Sequence, residues 1–266
     1  MTASTSAVKA TAKTALKNNR LSACVSSVTV IFAFFVCYLT SGFVSFIATD
    51  AAGTAFFAAL TFFLLAPLAL GLLRFIWRMI FGVCDNPVSV FYYFSSKKLY
   101  TKAMRLMLSL TLRLLFFGAL VFLPAIIVDL FTGVRIYEII GIPIPLWTSN
   151  LYYLSVFLKT VAGVILVFIM ARYYFAPFLV IADENIDTSE AVHMSGVLSG
   201  KTMLDLIYLF FSMLGWIILS VLVIPLIFTM PYLLTALSVH VRFAIAEYNK
   251  LTNGFGTTPP EFTAEV

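Results

Sequence analysis

Charge is what this chain lacks most. Of its 266 residues only 11% are Asp, Glu, Lys or Arg, against about 25% in a soluble globular domain. That leaves too little polar surface to face water on all sides, which excludes a soluble enzyme and a charged disordered chain alike. Cysteine is scarce as well. Cys24, Cys37 and Cys84 are odd in number and form no CxxC pair, so a disulfide scaffold is excluded. Cys24 and Cys37 fall inside an apolar run and read as small packing residues. The two histidines, His193 and His240, lie far apart without metal-ligand spacing. HExxH, G-x-S-x-G and Walker A patterns are missing too. No catalytic residue, metal centre or cofactor is expected, and the chain reads as non-enzymatic.

Apolar side chains are abundant, at 62% of residues with a mean hydropathy of +1.03. A membrane-spanning helix needs about 20 mainly apolar residues. Six segments meet or approach this: Leu21–Phe46, Ala55–Phe75, about Leu110–Leu130, one within Leu151–Pro177, one within Met203–Ile224, and about Phe228–Tyr248. The first apolar stretch is longer than that of a cleavable signal and reads as a retained anchor. The expected fold is therefore all-α: a polytopic membrane bundle of six transmembrane helices. Its expected parts are an amphipathic segment (residues 1–20), the spans (21–250) and a disordered tail (251–266). The last two spans are crowded, because only 34 uncharged residues separate Asp205 from His240. Six spans require His240 and Arg242 to enter the membrane.

The formal net charge of +5 is written at the edges of these runs, which speaks for topology rather than nucleic acid. Lys9, Lys13, Lys17 and Arg20 precede the first span. Arg74, Arg78, Lys97, Lys98, Lys102 and Arg105 lie between the second and third, whereas the next connection, 131–150, holds only Arg135. The positive-inside rule then places both termini in the cytoplasm.

A short amphipathic segment precedes each odd-numbered span: Ser6–Asn19, the segment opened by Asn86-Pro87, and the one opened by Asp187-Thr188-Ser189-Glu190. The last two openings are helix-start signals. The pattern suggests three units, each an interfacial helix and a two-span hairpin, arranged as parallel repeats.

The spacing of Lys98, Lys102, Arg105, Ser109 and Arg113 puts them on one helical face, a basic stripe suited to anionic lipid headgroups. Arg113 either snorkels back to the headgroups or contacts lipid or substrate inside the bundle. Lys159 and Arg172 are about 20 Å apart along a helix. Lys159 therefore either snorkels outward, in which case Lys159→Met leaves folding intact, or pairs with Asp129 or Glu138. Asp205 and Arg242 come within reach across the last hairpin, and His240 beside them invites a proton-relay reading. Pro67 is read as a kink, with a broken helix as the alternative. Pro231 falls in the first turn of the sixth span, and Trp147, beside Pro143 and Pro145, reads as an interfacial anchor.

Tyr173–Asp183, Ser189-Glu190-Ala191, Ser195, Leu198, Gly200-Lys201, Leu214-Gly215-Trp216 and Met230-Pro231-Tyr232 together resemble an uncharacterised family of bacterial integral membrane proteins, a domain of unknown function found mainly in Gram-positive organisms. The likeness covers about residues 170–245. It departs from the family pattern at Val161-Ala162-Gly163-Val164, where a Pro-Gly step is usual. The resemblance implies a location in the bacterial cytoplasmic membrane and no activity. Physically, Gly200 is expected to end an amphipathic helix, Lys201 to mark the cytoplasmic edge, Gly215 to allow close helix approach, and Trp216 to fill beside it. The leading expectation is a membrane scaffold or accessory subunit whose basic face meets anionic lipid, a protein partner or a second copy. The alternative is a small-solute or lipid permease using Pro67, Arg113, Lys159 and His240.

Overall fold

A computed structural model describes residues 4–83, 85–132, 148–183 and 185–253, and these are helical wherever they are regular. Cys84, Glu138, Pro143, Pro145, Trp147 and the tail beyond Asn253 lie outside the described residues. Helix α1 (Thr5–Ile47) joins the basic N-terminal segment to the first span, with non-helical backbone at Asn19 (φ −125°, ψ 23°) marking the change of direction. Thr49 then caps α2 (Asp50–Leu60) through a 3.1 Å bond from the Ala52 N–H. The π turn Thr61–Leu65 leads into α3 (Ala66–Ile80).

Pro67 sits at the start of α3, and the second apolar stretch runs through it without interruption from Asp50 to Ile80. Because proline has no N–H, the Phe63 carbonyl loses its usual helical donor. The Tyr100 hydroxyl takes that place, donating to Phe63 O at 3.0 Å.

Asn86 opens a 3₁₀ helix, Pro87–Phe94, by accepting from the Val88 N–H. Two long helices follow, α4 (Lys97–Thr132) and α5 (Thr148–Ala171), and then the short α6 (Ala176–Ala182). Asp187 then caps α7 (Thr188–Ser212). The Ser189 hydroxyl and N–H both donate to its carboxylate, at 2.6 and 3.2 Å, and hold the Asp187 carboxyl below the usual carboxylate range. A carboxyl lowered in the native state stabilises above its unfolded value and loses that contribution as acid lowers the pH through the native one. Asp187→Asn should keep a cap yet remove this acid dependence. Thermal unfolding against pH checks it; an acid limb unchanged in the variant would contradict it.

Two sequence expectations about this region change. Gly200 does not end the helix: α7 runs through Gly200 and Lys201 to Ser212. A helix-ending glycine adopts positive φ, and among the described residues only Gly82 does so. The Met203–Ile224 segment is not one continuous helix either. It bends at Met213 (φ −104°, ψ 2°), resumes as α8 (Leu214–Leu219), and turns before α9 (Val223–Asn253).

Because α9 begins at Val223, Pro231 lies inside it rather than in its first turn. Helix α9 also carries the first residues of the expected tail, ending at Asn253. Among the described residues, five helical stretches are long and apolar enough to cross a membrane: Asn19–Ile47, Asp50–Ile80, Lys97–Leu130, Leu151–Ala182 and Pro225–Asn249.

The chain forms two compact units, Met1–Met107 with Tyr174–Val266, and Leu108–Tyr173. In the first, Val8, Ala12, Val30, Leu72, Phe75, Ile76, Val90, Leu209, Met213 and Val239 share a buried core. Gly71 lets the 3₁₀ helix lie directly on α3: a Cβ there would fall 1.8 Å from the Val90 carbonyl oxygen. Gly215, expected to allow close approach, faces open space instead. In the second unit the surface is mostly apolar, with Leu112, Phe116, Leu120, Phe157 and Val167 exposed. Such a surface suits contact with lipid.

Candidate functional site

The polar groups of the first unit gather where the start of α1 meets the last hairpin. Helices α7 and α8 run back along α9. Lys201 lies over the Tyr248 ring (5.6 Å), and Trp216 packs on Tyr232 with ring centroids 5.4 Å apart. Between these levels, Val8, Thr202, Asp205, His240, Phe243, Ala244 and Glu247 line a cavity of about 10 Å³. His240 is only 6% exposed, and its Nδ1 has no hydrogen-bond partner. Tyr174 and Phe175 form an aromatic wall beside the imidazole, with centroids at 6.5 and 6.1 Å. The Tyr174 hydroxyl donates to Leu237 O at 2.8 Å.

One helical level further along α7, the bend at Met213 opens the backbone. The Trp216 N–H donates to Met213 O rather than to the carbonyl of Ser212. Lys9 meets that freed carbonyl: its Nζ donates to Ser212 O at 2.7 Å and also to Ser212 Oγ. A cation at a helix C-terminus is favourable because it faces the negative end of the helix dipole. An apolar cavity of about 250 Å³ lies beside the bend, lined by Leu209, Met213, Ile217, Met230, Leu233 and Leu234 among others, with Ser220 its one hydroxyl.

Arg242 does not pair with Asp205. It donates to Ile80 O at 3.3 Å and lies 4.5 Å over the Phe81 ring, tying α9 to the end of α3. Asp205 instead shares the small cavity with His240. On α4, Lys98 and Arg105 are exposed, and Lys102 is half-buried with its ammonium 3.4 Å from Asp183 O.

In the second unit, Arg113 folds back one turn to Ser109 Oγ (2.8 Å) and stands 5.3 Å over the Tyr173 ring. That is the snorkelling direction, toward the start of its helix. Lys159 pairs with Asp129 at 2.6 Å, and Ser155 also donates to Asp129. The pairing alternative therefore holds for Lys159. Glu138 lies outside the described residues.

Sequence reasoning missed Lys9 with Ser212, Thr202 and Glu247 beside His240, and Arg78 with Asp85 (3.2 Å). The short separation of Arg78 and Asp85 was a usable signal; the other pairs bring together residues distant in the chain. Among the described residues no group of His, Cys, Asp and Glu could hold a metal ion. No family model, curated protein or solved structure matches the chain.

Proposed function

We propose that this is a non-enzymatic integral protein of the bacterial cytoplasmic membrane, a scaffold or accessory subunit that gathers anionic lipid at its cytoplasmic face. One observation carries the reading: Lys13, Lys17, Arg20, Lys97, Lys98 and Arg105 stand exposed on helices that border the apolar stretches. Each such cation near an anionic leaflet contributes about 1 kcal/mol. In this reading both termini are cytoplasmic, and α7–α8 makes a sixth, bent crossing beside α9. Lys201 to Leu219 gives about 27 Å of helix, close to the roughly 30 Å hydrocarbon layer. A parallel repeat of three hairpins fits the same topology, and a protein partner or second copy would sit on the lipid-facing surface.

Nanodiscs made with mixed anionic and zwitterionic lipid test the proposal by mass spectrometry of what stays bound after gentle extraction. The wild type should retain anionic lipid preferentially. The triple variant Lys97→Gln, Lys98→Gln, Arg105→Gln should lose that preference several-fold with its fold intact. Equal retention of both lipid classes by the wild type overturns the reading.

The bend at Met213 and its apolar cavity favour a second reading, a permease for lipid rather than for a small polar solute. Bent or discontinuous spans often form such sites, and the cavity lining offers a polar solute almost nothing to bind. Movement of a labelled lipid between leaflets of reconstituted vesicles would support it; none would exclude it.

A further inference from the structure

The cavity beneath Val8 combines features that the lipid reading does not use. A histidine with one ring nitrogen unpartnered is buried in the first unit, and two carboxylate residues, Asp205 and Glu247, line the same space. A buried polar atom without a partner costs about 1–3 kcal/mol, so an orphan nitrogen beside a cavity points to something that fills it. The volume of about 10 Å³ is close to the least that holds one water molecule. Thr202 supports this. Its hydroxyl donates to Leu198 O at 3.0 Å, which leaves its oxygen lone pairs free to accept from a molecule in the cavity.

We infer that Thr202, Asp205, His240 and Glu247 form a binding site for one water molecule and one exchangeable proton. In the neutral state the water donates to Nδ1 or to a carboxylate. When a proton arrives from the cytoplasmic water, Nδ1 takes it up and the imidazole becomes an imidazolium facing Asp205 and Glu247. The added positive charge draws α7 toward α9 under Val8. It thereby tightens the seat of the N-terminal helix, which Lys9 also fastens through Ser212.

The surrounding charges leave this role to His240. From α1, Lys9 is engaged at Ser212. From α7, Lys201 lies over Tyr248, and from α9, Arg242 is turned to Ile80 and Phe81. On the other side of the ring stands Tyr174, whose hydroxyl is bound to Leu237 O. This site is separate from the basic lipid-facing residues, so neither proposal stands or falls with the other.

Magnetic resonance of the full chain in nanodiscs, with histidine isotopically labelled, tests the inference. His193→Gln leaves His240 as the one labelled signal. That signal should titrate reversibly within about pH 5 to 8. Asp205→Asn and Glu247→Gln should each move its midpoint toward acid, by about one pH unit where the carboxylate is the nearer one. A His240 signal unchanged across the range overturns the inference, as does a midpoint that stays at the wild-type value in both variants. If one variant fails to fold, the wild-type titration and the other variant still decide it.

Discussion

Replacing Gly71 by alanine is expected to cost more stability than the same change at Gly53, Gly200 or Gly215. The new Cβ would fall 1.8 Å from the Val90 carbonyl oxygen and 2.7 Å from its carbonyl carbon. Both are backbone atoms, so no side-chain rotation relieves the clash. Either the 3₁₀ helix Pro87–Phe94 lifts off α3 or α3 shifts within the core, and Val90, Leu68, Leu72 and Ile76 lose their packing together. Overpacking typically costs about 1–3 kcal/mol; a backbone collision belongs at or beyond the top of that range. Thermal unfolding in detergent, followed by size-exclusion fluorescence, should show a much lower transition or no folded peak. Gly200→Ala is the matched control. It lies inside α7 with nothing within 4 Å of its added Cβ, so alanine's better helix propensity should leave stability unchanged or raise it by up to about 1 kcal/mol. A Gly71→Ala protein that unfolds with the wild type would show that the close packing of α3 on the 3₁₀ helix is not needed.

This contrast between two glycines also shows what could be read from the sequence. Local features were legible: the apolar runs and the Asn86 and Asp187 caps. Each is set by residues within a turn or two of one another. Gly71 and Gly200 look alike in the sequence, because what distinguishes them is a segment that arrives from elsewhere in the chain. Gly200, followed by Lys201, resembles a helix end, yet α7 tolerates it because the helix is held by packing at Leu198, Thr202 and Leu206. The bend at Met213 was hidden for a related reason. An apolar run reports length and hydropathy, not continuity, and only Lys9, some two hundred positions earlier, marks where the Ser212 carbonyl is free. His240 was noticed as an intramembrane titratable group, but the partner assigned to Asp205 was wrong. Arg242 found a carbonyl and a ring on α3 and its end that hairpin register alone does not reveal.

Lys159→Met should sharply reduce the yield of folded protein, the reverse of what a freely snorkelling lysine would give. The ammonium is bound to Asp129 at 2.6 Å, and Ser155 donates to the same carboxylate. Removing the lysine takes away the cation 2.6 Å from Asp129 at the end of an apolar helical stretch, and a carboxylate left there without its counter-charge is costly. Asp129→Asn alone strands the lysine, but its long stem can carry the ammonium toward the interface, so the smaller loss is expected there. The double variant Lys159→Met, Asp129→Asn removes both charges. It should recover most of the folded yield, because removing both members of a pair at an apolar surface is less damaging than leaving one charge without the other. Monodisperse peak height after extraction and the unfolding midpoint give the four corners of a double-mutant cycle. Strong coupling would make the pair a structural tie between α4 and α5. Independent, additive effects would return Lys159 to a lipid-facing role.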